Sequence, residues 1–219
     1  MFLVHLAVAF VGSVFYCSLL EWVLHKHFMH SPRFMREPFE RHAVQHHGMH
    51  RSGRSFFADP REEPHYMLIG ASFFPIFWLM HLPIFAVFEL LVARGSGYGI
   101  ALGTAAYCLA YEVFHWCEHV PKDRWFERTR WFKFLLEHHR VHHKYARKNY
   151  NVVLPLGDLL FGTLSLDRLP PEPPEPVIPE RIKSWLGGGS RMGQKPGRRN
   201  PALAARGAEE EREGERVRV

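Results

Sequence analysis

Histidine is the residue type in this sequence most able to do chemistry, because it makes up 16 of the 219 residues. Most of the histidines fall into four clusters: HKHFMH at 25–30, HAVQHHGMH at 42–50, HWCEH at 115–119 and EHHRVHH at 137–143. Neutral imidazole is a good ligand for iron, zinc and copper, and one ion takes about four to six ligands. An inventory this large therefore predicts a site for two metal ions.

Spacing within the clusters indicates which histidines can act together. Residues three or four apart lie on one face of a helix. Three sets of histidines have this spacing: His42, His46 and His50; His115 and His119; and His139, His142 and His143. His25 and His30 are five apart, which is about 140° around an α-helix. They converge only if the helix ends or bends between them, or if His27 takes part with His30.

Carboxylates close to the clusters could orient the imidazoles by accepting the second ring N–H. Four have suitable positions: Glu21, Glu112, Glu118 and Glu137. His5 and His81 stand alone inside apolar stretches, where a histidine is more often a satisfied polar residue than a ligand. We expect neither of these two to bind metal.

Hydrophobic segments must position the clusters. Three are present, at residues 1–20, 66–93 and 98–115. The first is long enough to span a membrane and is predicted to continue as a helix to about His25. Pro75 and Pro83 predict a kink or break in the second. Three crossings put His25 and His115 on the same side of the membrane, whereas a re-entrant second segment would separate them.

The distribution of charge gives the orientation independently. The loop at 26–65 carries seven Lys and Arg residues, whereas the turn between the second and third segments has Arg94 alone. By the positive-inside rule, the histidine clusters face the cytoplasm. The formal charge of +6 arises beside hydrophobic segments and matches no nucleic-acid-binding pattern, so no nucleic-acid partner is expected.

Together these patterns predict an all-α integral membrane protein with about three transmembrane helices and a cytosolic histidine-rich cap for two metals. Residues 1–169 form this domain. The Pro-rich segment 170–186 is expected to be a stiff linker, and the segment 187–219, rich in Gly, Arg and Glu, a disordered tail. The three cysteines form no CxxC pair, so a disulfide framework or a cysteine zinc site is not expected.

The motifs resemble the histidine boxes of the membrane fatty acid hydroxylase/sterol desaturase superfamily. The resemblance rests on HKHFMH, HWCEH and HRVHH, and on KNYNVVLPLGDLLFGTL at 148–164; it covers roughly residues 15 to 168. It implies a cytosolic di-iron centre that uses O₂ and two electrons to hydroxylate or desaturate a lipid. The ligands carried over by motif are His25, His30, His115, His119, His139, His142 and His143.

The second cluster departs from the family pattern. His47-Gly48-Met49-His50 fits the start of a His-x2-His-His box, but Arg51 stands where the last histidine is expected. His42-x3-His46-His47 supplies a related spacing one turn earlier. Both registers remain open, so the candidate ligands from this cluster are His42, His46, His47 and His50.

The function expected from these features is C–H oxidation of a fatty acyl, sterol or related lipid in lipid biosynthesis. Such a bond has no acidic proton, so a redox cofactor must supply the oxidant. No haem, flavin or nucleotide motif occurs, and a separate cytosolic electron-transfer protein is therefore expected as partner. Four aromatic residues either face lipid or line an apolar pocket: Phe73, Phe74, Phe77 and Trp78.

Two other classes of function use similar residues. A zinc-dependent membrane hydrolase would need fewer ligands than this sequence offers, and the HExxH motif is absent. A metal-binding relative without turnover is the other alternative, and Arg51 in the second cluster is the feature that favours it.

Overall fold

A computed structural model describes residues 1–50, 56–58 and 73–170, with side chains of the last range described from Phe77 onward. Within these ranges all regular structure is helical, which confirms the predicted all-helical class. The described residues lie in one compact unit, Met1–Pro173. Apart from its first residue, the predicted linker at 170–186 lies outside the described residues, and so does the predicted tail at 187–219.

Helix α1 (Phe2–Leu24) is formed by an apolar run without proline. It continues into a π-helical turn, His25–Met29. Together, Phe2–Met29 is the one helix of the described residues that is long and apolar enough to cross a membrane. At 1.5 Å per residue its length is about 42 Å.

The π turn answers the question raised by the spacing of His25 and His30. A π turn closes its hydrogen bond over five residues instead of four, and the N–H of His30 donates to the carbonyl of His25 at 3.0 Å. Residues five apart are therefore stacked above one another. The two ring centroids lie 5.0 Å apart, so the change of helical geometry puts both imidazoles on one face.

Helix α2 combines three short segments: Arg36–Phe39, a π-helical stretch Glu40–His46, and His47–Met49. A π-helical hydrogen bond over five residues also forms in α2, where the N–H of His47 donates to the carbonyl of His42. His42 and His47 are also five apart, and their ring centroids lie 4.8 Å apart. Two π turns thus each pair two imidazoles.

The described part of the second hydrophobic segment, residues 73–93, is divided into two helices. Helix α3 (Phe73–Met80) ends at His81, and α4 (Leu82–Val87) follows and widens into a π-helical turn, Phe88–Val92. Pro83 lies in the first turn of α4, where a missing N–H has no effect on the helix. The break at His81 next to Pro83 confirms the predicted interruption, and it leaves Leu82–Val92 too short to count as a spanning helix.

Helix α5 (Ser96–His119) is the long partner of α1. Glycines allow the two backbones to approach closely: a Cβ at Gly103 would lie 2.7 Å from the carbonyl oxygen of Phe10, and a Cβ at Gly99 would lie 2.9 Å from the Cβ of Ala9. Neither position can therefore hold a larger residue without moving α1. This contact aligns the ends of α1 and α5 that carry histidines.

Helix α6 (Arg130–Lys144) begins with a side-chain cap, because the hydroxyl of Thr129 accepts from the N–H of Phe132 at 3.2 Å. Phe132 and Leu135 are buried and fix the first half of the helix. The second half carries His139, whose ring lies 5.0 Å from that of His119 at the end of α5. Helix α7 (Leu156–Leu160) then packs on α1.

Candidate metal centre

Ten of the eleven candidate histidines are gathered into two groups of five. Within each group the ligand nitrogens all lie within 4.8 Å of one another. Group A consists of His25, His30, His42, His47 and His142. Group B consists of His46, His115, His119, His139 and His143. Each group is large enough to hold one metal ion.

Group A is built from three elements. The π turn that ends α1 supplies His25 and His30, α2 supplies His42 and His47, and α6 supplies His142. The Nε2 atoms face one another: His25 and His42 are 2.8 Å apart, and His30 and His142 are 3.0 Å apart. Both pairs of histidines that are five residues apart, His25 with His30 and His42 with His47, belong to group A.

Group B is built on ordinary α-helical spacing. His115 and His119 come from α5, His139 and His143 from α6, and His46 from α2; all five are buried. The Nε2 of His46 lies 3.1 Å from that of His115, and the Nε2 of His139 lies 3.1 Å from those of His119 and His143.

The second cluster is divided between the groups. His46 and His47 are adjacent in sequence, but the first lies in group B and the second, with His42, in group A. His50 lies outside both groups, because α2 ends at Met49 and the backbone of His50 is no longer helical. The ring of His50 lies 4.5 Å from that of His119. Arg51, on which the two registers differed, lies outside the described residues.

Backbone carbonyls orient several of the imidazoles. In four of them the Nδ1–H group donates to a carbonyl: His25 to Tyr150, His119 to Phe56, His142 to Lys148 and His143 to His50. A carbonyl oxygen can only accept, so in each ring the proton is on Nδ1. The Nε2 of each ring is then a bare lone pair directed into its group, as a metal ligand requires.

The distances between facing Nε2 atoms are those expected of ligands that share one ion. At metal–nitrogen distances of about 2.0–2.1 Å, two ligands at a right angle are about 3 Å apart, and two tetrahedral ligands about 3.4 Å apart. The closest Nε2 pairs lie between 2.8 and 3.2 Å. Five imidazoles in each group exceed the four ligands of a tetrahedral zinc site and are compatible with an ion that takes five or six ligands, such as iron.

Burial keeps these imidazoles neutral. Loss of solvation, followed by the nearby His142 ring, lowers the pKa of His30 to about 2. Loss of solvation also lowers the pKa of His142 to about 4, although its bond to the Lys148 carbonyl opposes the change. In group B, burial and then the neighbouring imidazoles lower the pKa of His139 well below its usual range. Near neutral pH the nitrogens are therefore available as ligands.

The carboxylates expected to orient imidazoles have different roles. Glu118 is fully buried, but its oxygen lies 4.0 Å from the Nδ1 of His139, which is too far for a hydrogen bond, so the expected orienting bond is not formed among the described residues. Glu21 instead accepts from the Tyr107 hydroxyl at 2.5 Å and from the N–H of Val152 at 2.6 Å. Glu137 accepts from Arg140 and from the N–H of Leu169. Glu21 and Glu137 thus fix the fold, and the hydrogen bonds they accept within the described ranges come from groups other than imidazoles.

Asp158 is a functional candidate that sequence reasoning did not single out. Its buried carboxylate accepts from the N–H groups of Tyr150 and Asn151, both at 2.8 Å, and from the Thr163 hydroxyl at 2.6 Å. It also lies 3.1 Å from the Nε2 of His138. These bonds hold the loop whose Tyr150 carbonyl accepts from His25. The NYN and DLLFGT motifs are the sequence signal for this arrangement.

An apolar cavity of about 60 Å³ lies beside group A. His25 forms part of its wall, and most other lining residues are apolar: Leu20, Leu24, Met29 and Phe77, with Tyr107 and Tyr111. Of the four aromatic residues considered above, Phe77 thus lines a pocket, while Trp78 donates to the carbonyl of Ala101 at 3.3 Å. The side chains of Phe73 and Phe74 lie outside the described residues.

Comparison with known proteins gives one match. A family model described as fatty acid hydroxylase matches residues 10–163, a range that includes both histidine groups, the NYN loop and α7. No curated protein and no solved structure gives a significant match.

Proposed function

The chain belongs to the fatty acid hydroxylase family, as the histidine motifs predicted, and on this premise we propose that it is an O₂-dependent di-iron hydroxylase or desaturase of lipids. The observation that carries the proposal is the convergence of ten neutral imidazoles into two groups of five. The Nε2 atoms that face one another at about 3 Å in each group are placed to bind one cation together.

The residues present fit two iron ions. Group A would hold one and group B the other, and when bound the pair would supply the redox chemistry with O₂ that cleavage of an unactivated C–H bond requires. The protein's own contribution is to fix the ligand nitrogens. Carbonyl acceptors at Tyr150 and Lys148 hold rings of group A, and those at Phe56 and His50 hold rings of group B.

The apolar cavity next to His25 is the proposed place of the lipid. It lies between α1 and α5, and its lining favours a hydrocarbon chain and excludes water. A second opening lies on the other side, where a surface groove is lined by Val44, His47, Gly48, His143 and Lys144. His47 is only partly buried. We place the expected separate electron-transfer protein over this groove, within reach of both groups.

The proposed topology has three crossings with the histidine groups at the cytoplasmic face. It is supported by the apolar helix Phe2–Met29 and by the Lys and Arg residues between α1 and α3. Single cysteines at positions 33 and 94, added to a variant without native cysteines, test it. A membrane-impermeant maleimide should label position 94 from outside and position 33 only after the membrane is opened. Labelling of both from one side contradicts three crossings.

Metal analysis and lipid mass spectrometry test the activity. The purified full chain should contain about two irons, consume O₂ when a reductant is supplied, and add an oxygen atom to a cellular lipid or remove two hydrogens from it. Zinc without O₂ consumption would instead support the hydrolase. Loosely bound metal and unchanged lipids would support a relative without turnover.

A further inference from the structure

Three consecutive apolar residues at the end of α7 are exposed. Leu159 and Leu160 are each 62 % exposed and Phe161 is 51 % exposed, whereas Gly157 and Asp158 of the same short helix are buried. Large apolar side chains that are exposed side by side mark a binding surface, unlike apolar residues scattered singly. We call Leu159, Leu160 and Phe161 the apolar patch.

The apolar patch is fixed to the second half of α1. The indole N–H of Trp22 donates to the Thr163 hydroxyl at 2.8 Å, and the ring centroids of Trp22 and Phe161 lie 4.2 Å apart. A Cβ at Gly157 would lie 2.5 Å from the Cβ of Trp22, so the backbone of α7 directly contacts α1. The patch therefore has a defined position along the helix that is long and apolar enough to cross a membrane.

The apolar patch continues an exposed face of α1. Val11, Phe15, Ser18 and Trp22 follow one another at intervals of three or four residues, which places them on one side of the helix. Val11 and Phe15 are exposed, whereas Ser18 and Trp22 are buried. The Ser18 hydroxyl donates to the carbonyl of Leu154, just before α7. Residues around α7 thus cover this face of α1 where its own exposed side chains end.

The length of α1 places the apolar patch at one boundary of a bilayer. Trp22 lies 20 residues after Phe2, which is about 30 Å along a helix and matches the thickness of a hydrocarbon core. The ring of Phe2 lies 6.3 Å from that of the exposed Tyr98. The ammonium of Lys26 lies 4.3 Å from the centre of the Trp22 ring. Tyr is enriched at membrane–water interfaces and Lys is attracted to anionic headgroups, so Tyr98 and Lys26 fit the two boundaries.

We propose that the apolar patch is inserted into the bilayer, in the leaflet next to the histidine groups. The inference rests on the proposed crossing of α1 and not on the chemistry at the metal groups. Insertion removes three large apolar side chains from water, which is favourable in proportion to their area. Because the carboxylate of Asp158 in α7 accepts from the N–H of Tyr150, contact with lipid also holds the loop that orients His25 close to the membrane surface.

Photo-crosslinking of the full chain in nanodiscs of phosphatidylcholine and phosphatidylglycerol tests the proposal. Leu160 is replaced by p-benzoyl-phenylalanine, which on illumination reacts with C–H bonds that it touches. The intact mass of the chain should increase by the mass of one phospholipid. Replacement of the exposed Phe15 on α1 is the positive control and should give the same increase. Replacement of Val44 is the matched negative control, because this exposed residue lines a polar surface groove with Arg36 and Glu40.

A lipid adduct at position 15 without one at position 160 would overturn the proposal. A cross-link between two copies of the chain at position 160 would also overturn it, because a second copy would then cover the patch. Equal adduct yields at positions 160 and 44 would do the same, since contact with lipid would not be particular to the patch. Replacement of Leu159, which is equally exposed, repeats the measurement with a second variant and should give the same adduct.

The proposed function and the insertion of the patch fail in different ways, because the cross-link needs neither iron nor turnover. A chain that gives the adduct at position 160 but oxidises no lipid contradicts the proposed function and leaves the patch in the bilayer. An active enzyme without that adduct contradicts only the insertion of the patch.

Discussion

The chemistry of each imidazole here depends on which of its nitrogens is engaged. Where Nδ1–H donates to a backbone carbonyl, as in His119 and His142, Nε2 is left without a proton and is aimed at its neighbours. Backbone carbonyls thus take the role that carboxylates often have around metal-binding histidines. A lost imidazole would remove a ligand, and among the described residues group A contains no carboxylate that could replace it.

His142→Ala should remove one iron and abolish product formation. Its Nε2 lies 3.0 Å from that of His30 and 3.1 Å from that of His47, so group A loses its only ligand from α6. Elemental analysis of the purified variant should give about one iron per chain. His5→Ala is the control, because the ring of His5 lies 3.2 Å from the carbonyl of Arg94 near the other end of α1 and belongs to neither group. Full iron content in His142→Ala would exclude it from the ligands.

Acid should destabilise the metal-free protein. In an unfolded chain histidine titrates near pH 6.5, whereas in the folded chain burial lowers the pKa of His30 to about 2 and of His142 to about 4. Above about pH 6.5 these histidines are neutral in both the folded and the unfolded chain, so their burial takes nothing from the free energy of unfolding. Below it the unfolded chain takes up protons that the folded chain refuses, at a cost of up to about 1.4 kcal/mol per pH unit for each histidine.

Urea unfolding of the metal-free chain between about pH 7.5 and pH 5.5 measures this effect. The unfolding free energy should be level at the upper end and fall steadily below about pH 6.5. An unfolding free energy that stays constant over the whole range would mean that these imidazoles remain solvated.

At the scale of elements, the two groups are assembled by different helical geometries. Group B uses the i,i+4 pairs of α5 and α6, which the sequence spacing predicted for His115 with His119 and for His139 with His143. Group A uses two π turns, and no sequence pattern distinguishes a π turn from an α turn. For this reason the sequence predicted that His25 and His30 converge only if the helix ends or bends between them, or if His27 takes part with His30.

Because α-helical spacing does not reveal a π turn, the sequence also could not decide between the two registers of the second cluster. Adjacent residues of a helix project about 100° apart, so His46 and His47 enter different groups, and the π-helical stretch of α2 places His47 beside His42. The bond from His119 to the Phe56 carbonyl could not be predicted from the sequence either, because a backbone acceptor needs no particular side chain. Residue types and α-helical spacing thus predicted which histidines are candidates, ten of which converge, but not into which group each of them falls.

The contact between α1 and α5 should tolerate no side chain at Gly103. A Cβ there would lie 2.7 Å from the carbonyl oxygen of Phe10, and such overpacking costs about 1–3 kcal/mol. Gly103→Ala should therefore lower the melting temperature measured in detergent. Gly12→Ala is the matched control on α1, since a Cβ at Gly12 meets no atom within 4 Å. Equal melting temperatures would show that the two helices can separate without cost.

Asp158→Asn should lower the stability of the protein and weaken iron binding by group A, although Asp158 is not a member of that group. The new amide would put an NH₂ group among the donors of Tyr150, Asn151 and Thr163, and a loss of about 1–3 kcal/mol is expected. Because the Tyr150 carbonyl accepts from His25, iron should also bind less tightly. Asp167→Asn is the control, since Asp167 is exposed and pairs with Lys148. Unchanged stability and iron content in Asp158→Asn would exclude this role.

At the scale of the whole molecule, the two groups differ in access. All five histidines of group B are buried, whereas His30 and His47 of group A are partly exposed. A strong iron chelator should therefore remove the metals in two phases, the first from group A. The release of iron, followed by absorbance, should show both phases in the wild type and only the slow one in His142→Ala. A single phase in the wild type would contradict the difference in access.

The order of the elements along the chain also constrains how the protein is made. Each group draws on the end of α1 or on α2 and also on α6, so neither is complete until His142 and His143 have left the ribosome. During synthesis the early histidines are therefore produced well before their partners. On the proposed function, the apolar helices would be inserted before the ions are captured, and a cell short of iron would accumulate inserted but empty protein.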